Sequence, residues 1–156
     1  MTGKHVAAIL RIGLIAGTLD ITDALVFSAL HGVAPAKVFR FIASGLLGET
    51  ALQGGLGTAV LGLLLHYDIA LSWTAIFYVT SLRWKVLTRR PVVSGLIYGA
   101  FVYVLMNFVV LPLSRIPARG APTLVSRVNG VLAILLCIGL AISFLTRREQ
   151  SRATSA

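Results

Sequence analysis

Four apolar stretches decide what this chain can fold into: residues 6–30, 52–82, 91–113 and 122–146. A helix rises about 1.5 Å per residue, so roughly 20 residues cross a hydrocarbon core about 30 Å thick. Each stretch reaches that length. Of the 156 residues, 57% are apolar, and the 15 glycines raise the share to about two thirds, against roughly 45–50% in soluble domains. Charged residues make up 12% and the mean hydropathy is +0.90, which leaves too little polar surface to coat a soluble monomer. The expectation is an all-α integral membrane four-helix bundle forming one domain over 1–156, with residues 147–156 as a flexible tail.

The first stretch is interrupted by Arg11, Asp20 and Asp23. It offers no unbroken apolar core before a small-residue cleavage site and reads as a retained helix. Between the first two stretches, residues 35–47 carry Pro35 at a helix start, with Val38, Phe39, Phe41, Ile42 and Leu46 set against Lys37 and Arg40. That pattern predicts a short amphipathic helix at the interface, with a re-entrant loop or an extension of the second span as alternatives. Gly54, Gly55 and Gly57 follow as a bend or a point of close helix approach. Glu49 stands where it caps a helix start.

The net charge is +9, from 14 Lys and Arg against 5 Asp and Glu. No basic stripe with interleaved aromatics is present, so nucleic acid is excluded as a partner. In a four-span arrangement one side receives Lys4, Arg11, Arg83, Lys85, Arg89, Arg90, Arg147, Arg148 and Arg152, and the other Lys37, Arg40, Arg115, Arg119 and Arg127. The excess of positive charge predicts both termini on the cytoplasmic side, with Trp84 as an interfacial anchor and anionic lipid head groups as partners there.

Several polar residues fall inside the apolar stretches. Asp20 and Asp23 share a helix face, and a carboxylate at a helix centre costs about 2.5–3.5 kcal/mol on insertion scales. They require a partner, a cavity or water. His66 and Asp68 lie about 200° apart on their helix; Asp68 aligns with Thr58, Leu61, Leu65 and Ser72 and is predicted to face inward. Asn107 continues the Gly95, Gly99, Tyr103 row, while Asn129 and the adjacent Arg127 sit on the fourth helix with Cys137 further along. At 1.5 Å per residue these groups fall in one layer nearer the outer side. The layer comprises Asp20, Asp23, His66, Asp68, Asn107, Arg127 and Asn129; the simplest use of Asp20, Asp23, Asp68 and Arg127 is an ion-paired cluster that sets helix register, with His66 a buried, hydrogen-bonded histidine. Gly13, Gly17, Gly95 and Gly99 are the expected sites of close helix packing.

No catalytic motif is present: GxSxG, a Walker loop, GxGxxG and HExxH are all absent. With three histidines and one cysteine, neither a metal site nor a haem is implied. The AGTLD run at 16–20, VFRFIASGLLG at 38–48, LLLHY at 63–67 and GLIYGAFVYVLMNFVVLPLS at 95–114 resemble the small bacterial inner-membrane proteins of the YagU-like type. That resemblance implies a multi-pass inner-membrane protein with a link to envelope or acid stress, and carries no catalytic residue. The expectation is a structural or interaction-type membrane protein without enzymatic activity, with a homo-oligomer as an option. The alternative is a small proton-linked transporter or channel using Asp20, Asp23 and Asp68.

Overall fold

A computed structural model describes residues 3–117 and 122–154. Arg119, counted above with the second basic group, lies outside them, as do the last two residues of the tail. The described residues contain no strand. Five principal helices follow one another: α1 (Gly3–Leu30), α2 (Pro35–Leu47), α3 (Leu56–Arg83), α4 (Pro91–Leu113) and α5, which starts at Leu124 and ends at Thr154. A 3-10 stretch, Gly48–Gln53, joins α2 to α3, and one helical turn, Val86–Arg89, joins α3 to α4.

The boundaries follow from local chemistry. Pro35 and Pro91 open α2 and α4, where a missing N–H costs nothing. Gly48 ends α2 with φ of 74° and donates its N–H to the Ser44 carbonyl, a left-handed cap that a side chain would oppose. Thr123 caps α5, its hydroxyl accepting from the Ser126 N–H at 3.2 Å. The helix α5 continues to Thr154, so residues 147–154 of the segment expected to be a flexible tail are an extension of the last helix.

Both α4 and α5 contain π-helical turns, Met106–Val110 and Ile134–Leu140. In α4 the cause lies just beyond: Pro112 has no N–H to offer the Phe108 carbonyl, and the turn before it widens. The Asn107 side chain adds to this by donating to the Tyr103 carbonyl at 2.9 Å.

Three helical segments have the length and composition to cross a membrane, Leu56–Arg83, Pro91–Leu113 and Leu124–Arg152. They mark a multi-pass membrane protein. The 28-residue α1, with two carboxylates along it, is not among the three. Consecutive long helices run antiparallel. His5 Nδ1 lies 3.1 Å from the Tyr78 hydroxyl, Gln150 donates to Ser81 at 2.6 Å, and Ser143 donates to the Pro91 carbonyl at 2.9 Å. The start of α1, the end of α3, the start of α4 and the end of α5 therefore share one end of the molecule, closed at its rim by Arg11 and Glu149 at 3.3 Å.

Ile12, Ala16, Phe77, Val102, Ile138 and Ile142 form the centre of the core. Leu14, Leu64, Ile97, Phe108 and Leu136 stay exposed on the outside, an apolar surface that lipid would cover. The backbones of α4 and α5 also come into close contact. A Cβ added at Gly95 would stand 2.9 Å from the Gly139 carbonyl oxygen, and one at Gly99 would stand 2.9 Å from the Leu135 Cα. Gly139 meets the same two glycines from the other side. On α3, Gly62 receives the Phe39 backbone, so α2 lies directly against α3 with Ala43 and Ser44 fully buried.

Candidate functional site

The packing of α1 on α3 sets the site. Gly13 opposes Leu71, and Gly17 opposes Ala70 and Tyr67. Through the gap that Gly17 leaves, His66 reaches the backbone of α1: its Nε2 stands 2.8 Å from the Gly17 carbonyl oxygen. A carbonyl only accepts, so Nε2 carries the proton. Next to it the Thr18 and Tyr67 hydroxyls are 2.9 Å apart. These contacts make His66 buried and leave Asp68 exposed, the reverse of the sequence expectation. The inward stripe of α3 is Ala59, Gly62, His66, Ala70 and Thr74, a run of small residues at three- and four-residue spacing that was available in the sequence. Small residues let helices approach closely in a membrane, and they identify the packed face better than the Thr58–Ser72 row.

On α1, Asp20 and Asp23 lie within electrostatic reach of each other, and Asp20 within reach of His66. Asp23 is bonded: Asn129 Nδ2 donates to its Oδ2 at 2.9 Å, tying α1 to α5. Cys137, two turns along α5, is within electrostatic reach of both carboxylates. Four of the seven residues expected in the polar layer therefore come together: Asp20, Asp23, His66 and Asn129.

The other three do not. The helix register pairs Gly17 with His66 and Tyr67, which displaces Asp68 from Asp20 by about one turn, or ~5.4 Å. Asp68 instead lies on the outer surface, in a shallow cleft with Leu10, Leu71 and Ser72. Arg127 is exposed, and among the described residues the only ion pairs are those of Glu149 with Arg11 and Arg152. The expected pairing of Arg127 with the α1 carboxylates is thus corrected: Arg127 sits in the first turn of α5, on a face turned away from them. Asn107 spends its amide on its own helix.

Beside the Asp20 and His66 pair lies a cavity of about 570 Å³. Its wall is drawn from every principal helix, and among the described residues it is apolar apart from Asp20, His66 and two serines, Ser28 and Ser114. The segment after α4 closes it against α2, where the Arg115 N–H donates to the Gly45 carbonyl at 2.9 Å. Sequence periodicity could not foresee this space, because it depends on the two π-helical turns and on how α2 folds back. Among the described residues, no group of three or more His, Cys, Asp or Glu side chains converges in a way that could hold a metal.

The fold and site define a multi-pass helical membrane protein with a carboxylate and histidine on the wall of an apolar cavity. Comparison with family models, with curated proteins and with solved structures finds no match to the chain.

Proposed function

We propose that the chain is a four-span protein of the bacterial inner membrane, with both termini cytoplasmic, whose role is to associate with a partner in the bilayer. One observation carries this reading. Asp68 lies near the midpoint of α3, a helix with the composition of a membrane span, and its side chain is exposed among apolar neighbours. A carboxylate facing lipid at that depth is strongly disfavoured, and intramembrane charges almost always face protein or water. Asp68 together with Ser72 on the same exposed face supports an interface covered in the assembled state, and a second copy of the chain is the simplest occupant.

The inner-membrane and stress-linked parts of this reading rest on the YagU-like resemblance. The orientation rests on the nine-to-five division of Lys and Arg. A non-enzymatic role fits the polar side chains Asp23, Asn129 and His66, which are engaged in bonds between helices. Two measurements test the proposal together. Reporter fusions after Trp84 and Arg148 are expected to read cytoplasmic, and a fusion in the connection between α4 and α5 periplasmic. Mass spectrometry of the protein released from native membranes is expected to give more than one subunit. A monomer without a bound protein partner refutes the association role.

A further inference from the structure

We propose that the cavity beside Asp20 is a binding site for a lipophilic amine: an elongated apolar molecule whose single protonated head rests on the Asp20 carboxylate. This goes beyond the association role of Asp68 and does not depend on it. The volume of about 570 Å³ falls inside the range of roughly 300–1,000 Å³ typical of small-molecule sites, which are mostly apolar with a few convergent polar groups. Among the described residues, the ionisable groups on the wall are Asp20 and His66 alone.

The state of their hydrogen bonds decides the class of ligand. His66 has committed Nε2 to the Gly17 carbonyl, and Asp23 accepts from Asn129. Asp20 has no hydrogen bond or ion pair with any described residue. An acceptor left without a donor beside an apolar space is costly, and a charged donor removes more of that cost than a neutral one. Asp20 lies within electrostatic reach of both His66, a titratable counter-charge, and the second carboxylate Asp23, and among the described residues no Lys or Arg forms an ion pair with either carboxylate. The site therefore favours a cation and repels an anion. The apolar remainder of the wall selects a hydrocarbon body over a hydrated ion.

The backbone supplies a separate line of support. Met106 and Val110 from one π-helical turn, and Ile134 and Ile138 from the other, all line the cavity. Inserted turns of this kind disturb a regular helix ladder and concentrate at functional sites. Two of them facing one space, on neighbouring helices, shape that space.

Trp73 is on the cavity wall, and the other tryptophan, Trp84, is exposed at the far end of α3. A Trp84→Phe protein thus carries one fluorescent reporter of the site. The full chain with this change, in nanodiscs of zwitterionic lipid, is titrated with a long-chain alkylamine brominated at mid-chain. The equally brominated alkyl sulfonate is titrated in parallel. The amine is expected to quench Trp73 saturably, at a concentration about tenfold or more below that needed by the sulfonate. Asp20→Asn is expected to weaken the amine about tenfold and to remove its advantage over the sulfonate. Ala24→Phe, which fills the space from α1 and leaves Asp20 in place, is expected to abolish saturable quenching by both, and so serves if Asp20→Asn fails to fold. Equal quenching by the two head groups, or saturable quenching that survives Ala24→Phe, overturns the proposal, because lipid tails would then reach Trp73 without a site.

Discussion

The Nε2 atom of His66 stands 2.8 Å from the Gly17 carbonyl oxygen, and glycine is what admits it. A Cβ at position 17 would lie 3.0 Å from the Ala70 Cβ and 3.1 Å from the Tyr67 ring. One small residue on α1 and one polar residue on α3 therefore share a single contact. His66→Leu is expected to lower stability by about 0.6–1.7 kcal/mol, the range for bonds between membrane helices. Gly17→Leu is expected to cost more, since it separates the helices as well as removing the bond. Unfolding in bicelles compares the two; a Gly17→Leu protein as stable as wild type would refute the contact.

Asp23 and Asn129 form the second such link, and here a double-mutant cycle isolates the pair. Asp23→Ala and Asn129→Ala are expected to couple by about 0.6–1.7 kcal/mol. The same cycle on Asp20 and Arg127 is expected to give additivity within about 0.5 kcal/mol, because Arg127 is exposed and forms no ion pair with any described residue. Strong coupling between Asp20 and Arg127 would restore the register-setting ion pair that the sequence pointed to.

That pairing shows where sequence reasoning stops. The long apolar stretches were legible because span length and hydropathy are properties of the chain alone. One edge moved where local chemistry intervened: Gly54 and Gly55 delayed the start of α3 to Leu56. The 200° between His66 and Asp68 was equally legible. Which of the two faces inward was signalled only by the small-residue row Ala59, Gly62, His66, Ala70 and Thr74, whose meaning rests on Gly62 receiving α2 and Gly17 receiving His66. A ruler of 1.5 Å per residue cannot see a shift of one turn between neighbouring helices, and one turn is what separates Asp68 from Asp20.

Gly139 supplies a further check, as a residue that the four-residue spacing of Gly95 and Gly99 did not reveal. It faces the backbones of both. Gly139→Ala is therefore expected to destabilise, because the nearest atoms are backbone and cannot rotate aside. Gly57→Ala, with nothing within 4 Å of the added methyl, is expected to be neutral or to stabilise by up to about 1 kcal/mol through helix propensity. Thermal unfolding in one detergent ranks the two; equal effects would mean that the α4 and α5 backbones are not in contact.

Asp68 gives the sharpest separation between a structural role and an interface. It has no hydrogen bond or ion pair with any described residue and is exposed near the middle of α3. A carboxylate there disfavours membrane insertion by about 2.5–3.5 kcal/mol on insertion scales, a cost that Leu does not carry. If Asp68 supported its own fold, Asp68→Leu would destabilise the monomer. If Asp68 serves a neighbouring chain, the substitution is expected to leave the monomer folded and at least as stable, while the subunit count falls to one. A Ser72→Cys reporter, in a protein whose Cys137 is replaced by Ser, reads the same interface directly, since Ser72 shares the exposed face. Oxidative crosslinking at position 72 is expected in membranes and is expected to vanish when Asp68→Leu is added. Crosslinking that persists in the Asp68→Leu protein would remove the carboxylate from the interface.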